Sequence, residues 1–182
     1  DAAELKEMLN FAAQLTQPVF IRYPRTTVPE PLITPPFGPT GLSEGAHLSH
    51  EPLSAVGKSE TLREGKDGAI IAYGSMVYPA YSAALTLAQR GINLTVVNAR
   101  FAKPLDEELI SGLAMKMPFI ITVEEHVLTG GFGSAILELM ESRKSAIRNP
   151  QSTIIRMGIP DRFIAHGSRD KLLSMLGLDE QG

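Results

Sequence analysis

Four nearly continuous apolar runs, each followed by a segment of helical periodicity, constrain this chain more than any other feature. They span residues 69–73, 94–98, 119–123 and 153–157. A run without polar alternation suits a strand buried on both faces, and a helix after each run supplies the crossover that parallel strands need. The helical segments carry Tyr81, Ala84, Leu85 and Ala88 before Gly91; Leu109, Ile110 and Leu113 after Asp106; Ile136, Leu139 and Met140; and Leu172, Leu173 and Leu176. Residues 58–63 read as one more strand, forming an antiparallel hairpin with residues 69–73 across Glu64-Gly65-Lys66-Asp67-Gly68. The expected fold of residues 56–182 is α/β: a mostly parallel five-stranded sheet with an antiparallel edge strand and helices on both faces.

The first 55 residues differ from this. Asp1 and Glu4 have the spacing of a capping box, and Leu5, Met8, Leu9 and Ala12 recur at helical intervals. Residues 18–25 then read P-V-F-I-R-Y-P-R. Val19, Phe20 and Ile21 form a β-prone run, and Pro24 stops it. Arg22 and Arg25 would thereby sit at a strand's carboxyl end, where open α/β sheets place ligands. Two guanidiniums there suit a phosphate or carboxylate, and they equally suit two surface ion pairs. One helix and one strand do not make a domain, so residues 1–25 read as the tail of a domain whose body lies outside this sequence. Residues 26–55 hold six of the thirteen prolines and no periodicity, the signature of a linker. His47 and His50 fall in it without a third ligand nearby and read as loop residues.

Composition excludes several classes. With 43% hydrophobic and 20% charged residues, the 182-residue chain is of ordinary globular type. A net charge of −3 argues against nucleic acid or an anionic membrane as the main partner. The absence of cysteine excludes disulfides, thiolate metal sites and cysteine catalysis.

Candidate chemistry is sparse. Glu124, Glu125 and His126 follow the third parallel run, and Gly130, Gly131 and Gly133 lead into the next helix. A glycine turn at a helix N-terminus can cradle phosphate. This one matches neither the dinucleotide fingerprint nor a P-loop, and it equally serves close packing, with Thr129 or Ser134 as the cap. Adjacent glutamates on a strand point to opposite faces, which makes them a poor acid–base pair. His126 reads as a packing or interface residue. Asp106 is an N-cap, with Glu107 and Glu108 at the positive end of the helix dipole. Asp161 and His166 lack a nucleophile spaced to complete a triad.

Taken in order, R-Y-P-R at 22–25, G-K at 57–58, A-Y-G-S at 72–75, R-F-A-K-P-L-D at 100–106, V-E-E with G-G-F-G-S at 123–134, G-I-P-D-R-F with H-G at 158–167 and G-L-D at 177–179 resemble the C-terminal part of the 1-deoxy-D-xylulose-5-phosphate synthase family, within the transketolase superfamily. The resemblance implies that residues 1–25 end a pyrimidine-binding domain, 26–55 link, and 56–182 form a transketolase C-terminal domain. It implies a full-length transferase using thiamine diphosphate and Mg2+. That enzyme would decarboxylate pyruvate and add the product to glyceraldehyde 3-phosphate, on the way to isoprenoids, thiamine and pyridoxal. It further implies a homodimer, located in the bacterial cytoplasm or a plastid. Arg25 would bind the acceptor's phosphate, with Arg22 a structural ion-pair former or a second ligand. Thr26 replaces the glycine common in the family at that place, and the linker is longer and richer in proline. No cofactor, metal or catalytic motif of the family lies within residues 1–182, so the fragment alone is expected to be inactive. A non-catalytic dimerisation module with His126 and the glycine turn at the contact, a transketolase, and a 2-oxoacid dehydrogenase subunit are the alternatives.

Overall fold

The computed structural model describes residues 1–24, 27, 53, 55–143 and 152–182, and the chain divides into two units, Asp1–Ala55 and Val56–Gly182.

In the first unit, helix α1 spans Ala2–Ala12, and the Asp1 carboxylate accepts the Glu4 amide at 2.9 Å, as the capping spacing predicts. No residue of α1 is buried. The expected strand at residues 19–21 does not form: the backbone has no strand character there, and Phe20 is 98% exposed. A β-prone run becomes a strand only when a neighbour takes its amides and carbonyls, and the described residues of this unit supply none.

The second unit contains the sheet. Its strands are β1 (Glu60–Arg63), β2 (Gly68–Tyr73), β3 (Leu94–Asn98), β4 (Phe119–Val127) and β5 (Thr153–Ile159). Its helices are α2 (Val77–Gln89), α3 (Glu107–Lys116), α4 (Phe132–Ser142) and α5 (Arg169–Met175). The strand order is β1-β3-β2-β4-β5, parallel except for β1. The fold class is therefore the expected one, with one correction of topology. Strand β1 pairs with β3 (Glu60 opposite Asn98, Thr61 opposite Val97) and not with β2, whose two edges are taken by β3 and β4. The four residues between β1 and β2 step across the start of β3 instead of closing a hairpin. Lys66 and Asp67 amides donate to the Asn93 carbonyl, Asp67 accepts the Asn93 amide at 2.7 Å, and Gly65 and Thr95 exchange bonds at 2.9 and 3.0 Å. Arg63 reaches the Leu94 carbonyl and the Asn93 side chain. These side-chain bonds to the far strand outweigh the short loop's preference for a local turn.

The inner strands β2 and β3 are buried on both faces, as their composition requires, and β4 is partly so. Strand β5, which is paired only on its β4 side, has no buried residue and leaves Ile155 46% exposed, against the expectation from its apolar run. On one face, Ile71 and Ile120 pack with Ile110 of α3 and with Phe132 and Ile136 of α4. Tyr73 stacks on Phe132 with ring centroids 5.2 Å apart. Helix α2 buries Val77, Ala80, Tyr81 and Ala84. Right-handed crossovers carry α2 from β2 toward β3 and α4 from β4 toward β5, so the chain leaves the ends of these adjacent strands in opposite directions. The carboxyl ends of β2 and β4 therefore flank the topological switch point, where open α/β sheets take their ligands.

Candidate functional site

Strand β4 runs four residues beyond its expected end, and this places both glutamates of the V-E-E string on the sheet. The alternation of a strand sends them to opposite sides, with different fates. Glu124 is 1% exposed. Its carboxylate accepts the Phe132 amide at 2.6 Å and the Gly133 amide at 2.8 Å, the first free donors of α4. An internal anion thus sits on the positive end of the helix, where a phosphate would otherwise bind. The glycines make the approach possible. A side chain on Gly131 would strike the Glu124 carboxylate, and a Cβ on Gly133 would lie 2.6 Å from the Thr122 hydroxyl. Gly130 takes a left-handed φ of 71° in the same turn.

The cap of α4 is thus neither Thr129 nor Ser134. Thr129 is exposed. Ser134 braces the turn from within, accepting the Gly130 amide at 3.2 Å and donating to the Leu128 carbonyl at 2.7 Å, and the Arg156 guanidinium donates to both Ser134 and Leu128.

Glu125 faces the other way into a polar cluster. The Ser75 hydroxyl, in the 3-10 turn Gly74–Met76 after β2, donates to its Oε2 at 2.5 Å. Arg169, the first residue of α5, clamps it with Nε–Oε1 at 2.7 Å and Nη2–Oε2 at 2.5 Å. Hydrogen bonding to Glu125 raises the Arg169 pKa above its ordinary value. A carboxylate held by a guanidinium is a weak base, so this trio is built to hold position and not to move protons.

Toward the β1 edge of the sheet, Arg100 adopts a left-handed φ of 54° just beyond β3 and donates to Glu60 of β1 at 2.7 Å, both side chains being buried. Asp106 caps α3 through the Leu109 amide and also accepts the Ser59 amide at 2.9 Å. Lys58 lies 3.3 Å from Glu108 and 3.6 Å from Asp106, and the hydrogen bond to Glu108 raises its pKa. The R-F-A-K-P-L-D string therefore fastens β1 to the body as well as starting α3.

Of the candidates read from the sequence, Gly130, Gly131 and Gly133 come together in one turn, with His126 at the end of the strand that leads to it. His126 is half-buried, its Nδ1 3.1 Å from the Val127 carbonyl oxygen. Arg22 is exposed in the first unit, and Arg25, Thr26, His47 and His50 lie outside the described residues. Asp161 and His166 are both exposed. Sequence reasoning missed Ser75, Arg169 and Glu60 as partners. Each joins residues 40 or more positions apart, which no local pattern announces.

The glycine turn that could cradle a phosphate is filled by Glu124, and no group of three or more His, Asp or Glu able to hold a metal occurs among the described residues. No helix among the described residues is long and apolar enough to cross a membrane.

Comparison with known proteins agrees with this architecture. The family described as transketolase, C-terminal domain, matches residues 57–182. The chain is 42% identical over its whole length to 1-deoxy-D-xylulose-5-phosphate synthases of Gloeobacter violaceus and Caldanaerobacter subterraneus, spanning 26% of each. It is 44% identical over 98% of its length to the synthase of a Cyanothece strain, again spanning 26%. The chain thus spans about a quarter of the length of these relatives. A solved structure titled split gene transketolase, inactive beta4 tetramer, superposes with a TM-score of 0.76 at 33% identity, covering 99% of this chain and 52% of that one. With the family matched across the whole sheet-bearing unit, the chain belongs to the transketolase C-terminal domain family.

Proposed function

We propose that this chain is the C-terminal part of a thiamine-diphosphate-dependent transferase that condenses pyruvate, with loss of carbon dioxide, and glyceraldehyde 3-phosphate to 1-deoxy-D-xylulose 5-phosphate. The observation that carries the reading is identity above 40% along the whole chain to proteins named for that product. In this reading the cofactor and Mg2+ are held by the remainder of the full-length protein, where the cofactor supplies the carbanion chemistry. Residues 1–25 close the pyrimidine-binding domain, 26–55 form the linker, and the protein works in the bacterial cytoplasm or a plastid. Arg25, with Arg22 beside it, binds the acceptor's phosphate. The fragment by itself is inactive.

The test is Arg25→Ala in the full-length enzyme. Loss of a charge-assisted phosphate contact should raise KM for glyceraldehyde 3-phosphate ~10- to 100-fold, with KM for pyruvate unchanged. Equal loss for both substrates would remove the phosphate role.

A second reading, a self-associating module without activity of its own, is favoured by the neighbour titled an inactive beta4 tetramer. Here His126 and the glycine turn lie near the contact of a homodimer. Light scattering on the 182-residue chain tests it: a concentration-independent monomer mass would end this reading and leave the first untouched.

A further inference from the structure

We infer that residues 160–182 form a strap latched across the carboxyl ends of β2 and β4 by the Glu125–Arg169 clamp, and that this clamp governs how often the strap lifts. The strap leaves β5 after Ile159 and contains the seven-residue helix α5. Of its large apolar side chains, Phe163 is fully exposed and Met175 is 69% exposed, Ile164, Leu172 and Leu176 are half-buried, and Leu173 and Leu178 are buried. Its polar anchors are a 3.0 Å bond from Thr86 to Glu180 and the clamp itself.

The clamp is also where the strap meets the switch point. Glu125 stands at the end of β4, and through its Oε2 it is bonded at once to Arg169 on the strap and to Ser75 in the turn after β2. Ser75 fixes the carboxylate rotamer before Arg169 arrives, which lowers the ordering cost of closing. The clamp is partly open to water, with side-chain exposures of 30% for Arg169 and 23% for Glu125, so dissolved ions reach it. A segment that fully buries only two large apolar side chains and is fastened by a partly exposed ion pair opens more readily than the sheet it lies on, below the cost of global unfolding. Opening bares Glu125 and Ser75 at the place where this class of sheet accepts ligands. The strap is therefore a gate whose bolt is electrostatic. The inference rests on the fold and is independent of the proposed reaction.

Hydrogen exchange on the 182-residue chain tests it. In the wild type, the amides of Leu172, Leu176 and Leu178, which close the strap's own turns, should exchange faster in 1 M than in 0.05 M NaCl, with β2 and β4 amides unaffected. Arg169→Ala should speed the strap amides about 5- to 30-fold and abolish their salt dependence, again without change in the sheet. Ser75→Ala should give a smaller acceleration of the same amides. Strap exchange insensitive to salt in the wild type would overturn the proposal even if the variants failed to fold. So would an acceleration in Arg169→Ala shared equally by strap and sheet.

Discussion

Val19-Phe20-Ile21 and Ile70-Ile71-Ala72 are similar stretches in different surroundings. The first lies in the unit Asp1–Ala55 with Val19 45% and Phe20 98% exposed; the second lies mid-sheet, with Ile71 and Ala72 fully buried. Strand β2 has β3 and β4 on its two edges and helices on its faces, so its backbone bonds and side chains are all satisfied. The first run has none of these partners among the described residues. An apolar run is an invitation to form a strand, and the neighbours decide whether it is taken up. The helices repeat the lesson: α1 is properly capped yet buries nothing, whereas α4 buries Phe132, Gly133, Ile136 and Leu139.

Substitutions can break or sharpen this contrast. The largest effect is expected at Glu124→Ala, which strands two buried amide donors at the start of α4. A loss of roughly 4 kcal/mol in urea unfolding follows, enough to leave the sheet unit marginal. Next is Ile71→Ala, at about 3 kcal/mol from the cavity left between β2 and the α3–α4 layer. The matched change Phe20→Ala should stay within about 0.5 kcal/mol in the same transition, and a comparable loss there would mean that the first unit has a core of its own. The smallest effect has the opposite sign. The Thr122 hydroxyl is buried with no hydrogen-bond partner among the described residues, so Thr122→Val should be neutral or up to ~1 kcal/mol stabilising. A clear loss would reveal a partner for that hydroxyl.

The sheet was legible because its signals are local and redundant. Residues 94–98 match β3, and Asp106, Glu107 and Glu108 mark the start of α3 where it begins. The hairpin was misread because loop length argues for β1 beside β2, while Arg63, Gly65 and Asp67 bind Asn93, Leu94 and Thr95, about 30 positions away at the start of β3 and just before it. The glycine turn was legible as a helix start but not as a filled one. Its occupant is a strand residue eight and nine positions back, and only the register of β4 shows that Glu124 faces inward. Arg25 remained a matter of resemblance, since it lies outside the described residues.

The two runs and the two glutamates point to one account: the sheet-bearing unit completes itself, with even its anion-binding helix end occupied from within. An amide-resolved NMR titration of the 182-residue chain with inorganic diphosphate and Mg2+ tests this most directly. The account predicts that the Phe132 and Gly133 amide resonances stay where they are, because Glu124 already holds both donors. A saturable shift of those two resonances would show that the turn admits an outside phosphate and would contradict it.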